Sequence, residues 1–65
     1  MGIRMQNPIW TTTDRLMILC PVCREEYEDH QVELIDDYEL EAIAEDYEDR
    51  RVACDSCGEP LYYGG

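Results

Sequence analysis

Two short motifs constrain this chain more than anything else in it: Cys20-Pro21-Val22-Cys23 and Cys54-Asp55-Ser56-Cys57, separated by the 30 residues from Arg24 to Ala53, with no cysteine left over. Two residues between thiols let one tight turn aim both sulfurs at a single point. Two such turns facing each other make the tetrahedral four-sulfur cage that Zn²⁺ prefers. The length of the chain makes the cage necessary. A single domain of 65 residues buries too little apolar surface for its core to supply more than about 3–5 kcal/mol. A structural zinc ion contributes about 10–16 kcal/mol in small domains. Metal binding and folding are therefore expected to be one equilibrium, with Cys20, Cys23, Cys54 and Cys57 holding one zinc ion.

Other uses of the cysteines fit less well. Disulfides belong to oxidising compartments, and the first ten residues contain Arg4, Gln6 and Asn7 with no apolar stretch of signal-peptide length. A thioredoxin-type C-x-x-C needs a βαβ scaffold that the chain is too short to build. No run approaches the ~18 consecutive apolar residues of a membrane span, and Gln6 stands where myristoylation wants Ser or Thr. A soluble cytoplasmic protein with no membrane partner is expected. Iron in place of zinc stays open, because thiolate sets alone do not discriminate the two metals.

The charge balance narrows the partner. Sixteen acids stand against five basic residues, for a formal charge of −11. Phosphate binding works by Lys and Arg releasing condensed counterions, so direct nucleic-acid binding is not expected. All the bases are arginine: Arg4, Arg15, Arg24, Arg50 and Arg51. Salt adaptation and GC-rich coding would each leave that bias. Four thiolates around one zinc ion carry a net −2, which takes the formal −11 to −13.

Along the chain, residues 1–15 mix Pro8, Ile9, Trp10 and three threonines and read as an N-terminal arm. The apolar run Leu16 to Cys20 suits a buried strand leading into the first cysteine turn. One helix is predicted at about 37–50. Asp36 serves as its N-cap, with Glu39 three positions on, and Leu40, Ile43, Ala44 and Tyr47 form its apolar stripe. Arg50 and Arg51 fall at the negative end of its dipole. Before it, Val32, Leu34 and Ile35 fit either a strand or an earlier helical turn starting near Asp29. The last piece reads as a hairpin, with Val52-Ala53 entering, Cys54 to Gly58 turning and Leu61-Tyr62-Tyr63 leaving, Pro60 lying at a strand start. Gly58 meets the need for positive φ just after the second cysteine; Arg24 holds the matching place in the first turn, which should be the more strained. Gly64-Gly65 form a frayed tail.

The two motifs resemble the knuckles of zinc-ribbon proteins. The likeness runs over residues 16–63, and it is strongest to the very small acidic zinc-ribbon proteins of haloarchaea and phages. The frequent C-P-x-C-G form is divided here: Cys20-Pro21-Val22-Cys23 carries the proline, Cys54-Asp55-Ser56-Cys57-Gly58 the glycine. The same spacing is similar to rubredoxin, in which the four cysteines would hold iron and carry single electrons. The ribbon resemblance implies an α+β fold, a small zinc ribbon with two β-hairpin zinc knuckles and one intervening acidic helix.

No catalytic residue is expected. A four-sulfur shell leaves zinc no open position for water, no apolar pocket surrounds the carboxylates, and His30, among Glu28, Asp29 and Gln31, reads as a solvated loop residue. The expected function is a non-catalytic zinc-binding interaction or regulatory module, of the kind that ribbon families place on transcription or translation machines. Its partner would be a protein with a basic surface. Glu41, Glu45 and Asp49 recur every four residues and stack like charges at a cost of about 0.2–0.5 kcal/mol per pair, with only Asp46 to Arg50 favourable. They are the candidate contact residues together with Trp10, an aromatic that can fill the core or anchor an interface. The alternatives are a rubredoxin-like iron electron carrier and an acidic DNA mimic that occupies a DNA-binding protein's groove.

Overall fold

The computed structural model describes residues 2–65. Among the described residues six short strands build two antiparallel sheets, and one α-helix packs on one of them. In the first sheet, β6 (Pro60–Tyr63) runs between β1 (Ile3–Arg4) and β5 (Arg51–Ala53). In the second, β2 (Trp10–Thr12) runs between β3 (Ile18–Leu19) and β4 (Val32–Leu34). The helix α1 spans Asp37–Glu45 and lies against β5 and β6. The core joins all three layers: Ile9, Ile18, Leu19 and Val32 come from the second sheet and its flank, Val52, Leu61 and Tyr62 from the first, and Leu40 and Ala44 from the helix.

Of the segment read as an arm, residues 1–15, the described residues 2–15 are part of the body. It supplies an edge strand, β1, to one sheet and the central strand, β2, to the other, with Ile9 and Thr11 buried. The β2–β3 turn is closed by Asp14, whose carboxylate accepts from the Thr12 hydroxyl and from the Leu16 N–H. These two bonds hold the Asp14 carboxyl below its ordinary range. Arg15 takes a left-handed φ of 61° there, and Leu16 points into solvent, so the strand begins at Ile18 and not at Leu16.

Both readings of the segment before the helix are realised in succession: Asp29–Gln31 make a 3₁₀ turn and Val32–Leu34 make β4. Asp36 caps α1, accepting from the Glu39 N–H at 2.8 Å. The helix stops at Glu45, short of the expected 50. Asp46, Glu48 and Asp49 crowd the negative end of its dipole, where no base stands in the last turn. The chain instead turns through Tyr47 to Arg50, and Arg50 at φ 54° redirects it into β5. Three expectations fail with that ending. Tyr47 leaves the buried stripe, Asp49 is not on the helix, and among the described residues no ion pair joins Asp46 to Arg50. Arg50 Nη1 donates to the Gly65 carbonyl at 2.8 Å.

The tail is also held. Gly64 donates to the Arg50 carbonyl at 2.6 Å and is buried; a Cβ added to it would lie 2.8 Å from Ala44 Cβ, so only glycine lets the strand end pass under the helix. The Gly65 N–H reaches Glu41 Oε1 at 3.2 Å. Gly64-Gly65 therefore close the first sheet against α1.

Candidate metal centre

Each sheet contributes one cysteine turn. β3 runs directly into Cys20 and β5 into Cys54, so the two motifs meet where the sheets meet. Their four Sγ atoms all lie within 4.8 Å of one another, and Cys20 Sγ stands 3.7 Å from Cys57 Sγ. A tetrahedron with Zn–S legs of about 2.3 Å has edges of about 3.8 Å. The quartet is thus close to the spacing a single ion imposes, and none of the four is disulfide-bonded. Cys20 and Cys54 are buried, Cys23 is half-buried and Cys57 is exposed, so the centre faces solvent on the Cys57 side.

The second turn follows the expected form. Between β5 and β6 the Gly58 N–H donates to the Cys54 carbonyl at 2.9 Å, the Cys54 N–H to the Glu59 carbonyl at 2.8 Å, and Gly58 has φ 82°. The first turn does not. No strand follows Cys23; the chain coils into a 3₁₀ turn, Cys23–Glu26, with the Arg24 N–H donating to the Cys20 carbonyl at 3.0 Å. Arg24 has no positive φ, and the left-handed non-glycine residues are Arg15 and Arg50. Continuing helically relieves the strain expected at Arg24. One cysteine turn of the two is a β-hairpin, and β3 pairs with β2 instead.

Electrostatically the sulfurs compete. Burial opposes ionisation of Cys54, but backbone N–H groups of Cys57, Cys20 and Ser56 turned towards it outweigh burial and bring its thiol down to about 6. At Cys23 the Ser56 hydroxyl favours the thiolate, yet the sulfurs of Cys20 and Cys57 and burial push it up to about 12. Four thiolates this close repel one another, and a divalent cation among them reverses the balance, because a coordinating thiol is deprotonated outright. The Cys23 N–H, 3.3 Å from Cys20 Sγ, adds a donor to the charged form.

Asp55 ties the two turns together. Its N–H donates to the Ile18 carbonyl at 2.8 Å, and its Oδ2 accepts from the Ile18 N–H at 2.6 Å. One residue inside the second motif is thereby locked to the strand that delivers the first. The sequence signal was an acid within a C-x-x-C turn, where Asp readily bonds nearby backbone, but its partner lies 37 positions away. Arg24 sets a second brace: its guanidinium lies 4.5 Å over the Trp10 ring and pairs with Asp29.

The other candidate residues divide. Glu41 is engaged internally, accepting from the Tyr62 hydroxyl at 2.7 Å as well as from Gly65. Asp49 Oδ1 accepts from the Arg51 N–H. Glu45 is exposed, and Trp10 is half-buried against the core beneath Arg24. His30 is exposed and is not among the residues that converge on the centre. Among the described residues no helix is long and apolar enough to cross a membrane. Comparison with protein-family models, with curated proteins and with solved structures returns no match. The class the coordinates define is a small α+β protein with a four-cysteine centre able to hold one metal ion.

Proposed function

We propose that this chain is a non-catalytic protein-interaction module folded around one structural zinc ion, in the manner of a zinc ribbon. The observation that carries the reading is the convergence of four sulfurs from two different sheets to within 4.8 Å. Four protein sulfurs fill a tetrahedral shell, which leaves zinc to hold the sheets and not to activate water. What remains for function is the surface, and its dominant property is an excess of carboxylates: a formal −11, and −13 with the metal. Such a field attracts and steers a partner with a basic surface and repels nucleic acid.

Metal analysis of the purified protein combined with ligand variants tests the reading. One zinc per chain and a colourless sample are expected; a red protein with thiolate-to-metal absorption would make it an iron electron carrier. Cys54→Ser should lose the ion and the fold, while His30→Ala should leave one zinc per chain, and expulsion of metal by the His30 substitution would overturn the ligand set.

A further inference from the structure

The four sulfurs of the metal centre are not equivalent. Cys20 and Cys54 are 2% and 3% exposed, Cys23 is half-buried, and of the four only Cys57 opens to solvent. The whole tip of the second turn, residues 55–59, is exposed, and a Cβ placed on Gly58 would meet no atom within 4 Å, so the approach beside Cys57 is open. Behind Cys57, at 3.7 Å, lies the Sγ of Cys20. The two come from different turns and different sheets, and the chain itself keeps them together: the bonds between Asp55 and Ile18 join the turn of Cys57 to the strand that leads into Cys20. An accessible sulfur backed by a second one at contact distance is the arrangement of an attacked and a resolving cysteine.

We propose that Cys57 and Cys20 form a redox switch on this centre, closed into a disulfide by an uncharged hydroperoxide with loss of the ion. The inference rests on the metal reading above, because coordination holds both sulfurs as thiolates, the form that reacts. The Cys57 thiolate attacks one peroxide oxygen: an S–O bond forms, the O–O bond breaks and hydroxide leaves, giving the sulfenic acid. The Cys20 thiolate then attacks that sulfur: an S–S bond forms, the S–O bond breaks and a second hydroxide leaves. Two electrons pass from the sulfur pair to the peroxide, and both hydroxides take up protons from solvent. Cys23 and Cys54 are left, too few to fill a tetrahedral shell. A dithiol reductant reverses the bond by exchange, as befits a transient disulfide in a reducing compartment.

Cys20 is favoured over Cys54 as the resolving partner. A bond between Cys54 and Cys57 would close only their own turn, whereas Cys20 and Cys57 stand 37 positions apart. Closing the longer loop removes more freedom from the unfolded chain, and it spans the same join between the sheets as the metal. The charge selects the oxidant. A formal −11, with Asp55 and Glu59 exposed on either side of Cys57, repels anionic disulfides such as glutathione disulfide and leaves neutral hydrogen peroxide unhindered.

The test treats the zinc-loaded full chain with hydrogen peroxide, follows free zinc with a coloured chelator, and maps the cysteines by alkylation and mass spectrometry. Zinc release in step with a disulfide between Cys20 and Cys57 is expected, with zinc binding restored by dithiothreitol. Iodoacetamide added to the native protein should reach Cys57 before the other three. Added salt should speed attack by glutathione disulfide and leave the peroxide rate unchanged. A disulfide within either turn, sulfinic acid with no disulfide, zinc retained under peroxide, or first alkylation at another cysteine would overturn the switch; equal salt responses would overturn the selection by charge. None of these measurements needs a substituted ligand, so the loss of fold expected of such a variant does not intrude. Metal analysis of the starting protein separates the two claims: a chain that binds no zinc removes the metal reading and the switch with it, whereas a zinc-loaded chain that keeps its ion under peroxide removes the switch alone.

Discussion

Asp55 is the residue whose work is most out of proportion to its size. Its two bonds to Ile18 bind the second cysteine turn to the strand that carries the first, and so help to fix the distance between the sulfur pairs in the folded chain. Groups that orient metal ligands in this way typically matter 10–100-fold to affinity. Asp55→Ala leaves the Ile18 N–H without its acceptor and should lower zinc affinity by about ten to one hundredfold. Asp55→Asn, which keeps an amide oxygen in place, should lose much less. Competition against a coloured chelator measures both, and equal affinities for the alanine variant and the parent would show that the brace is idle. The clustering of the four cysteines was legible in the sequence because C-x-x-C is a local signal complete in four residues, and so was Gly58, whose φ of 82° belongs to the second turn. Asp55 was not, since nothing near it in the chain indicates Ile18.

At the scale of elements, the helix shows how far local signals reach. Its start was readable from Asp36 and Glu39, which meet within one turn. Its end was not, because the periodicity of Leu40, Ile43, Ala44 and Tyr47 continues past the point where accumulated acids and the turn at Arg50 stop the helix. The strands divide likewise. The β5–β6 hairpin, closed by the six residues 54–59, was legible, whereas β1 pairs Ile3 with Tyr63 across nearly the whole chain and carries no local mark. The same C-terminal end makes a pH-sensitive contact with the helix. Burial and the Glu41 carboxylate push the Tyr62 phenol up to about 12, against about 10 in an unfolded chain. A group whose folded value is raised contributes stability that is complete below the unfolded value and is lost as pH rises through the folded one. Stability of the zinc-loaded protein should therefore decline between about pH 10 and 12. Phenolate absorbance should show one of the five tyrosines ionising late. Titration of all five together near pH 10 would place Tyr62 outside the core.

For the molecule as a whole, two forces oppose each other. Sixteen acids on a body measuring 31 × 18 × 17 Å repel one another, while a shared core and the sulfur quartet draw two small sheets together. Screening acts over about 8 Å at physiological ionic strength, less than half the narrow dimension of 17 Å. The zinc-loaded chain should gain stability from low salt to a few tenths molar and then level off, as thermal melts across a salt series would show. A continued need for molar salt would mark adaptation to brine as the reason for the acids. On the proposed reading the dominant force is the ion. With a core worth about 3–5 kcal/mol in a chain of this size against about 10–16 kcal/mol from structural zinc, the proposal makes the fold a property of the metal-bound state. The most direct measurement is a thermal melt by circular dichroism of the same sample before and after a strong chelator, with zinc then restored. The account predicts a cooperative transition that vanishes with the metal and returns with it; a cooperative melt that survives chelation unchanged would contradict it.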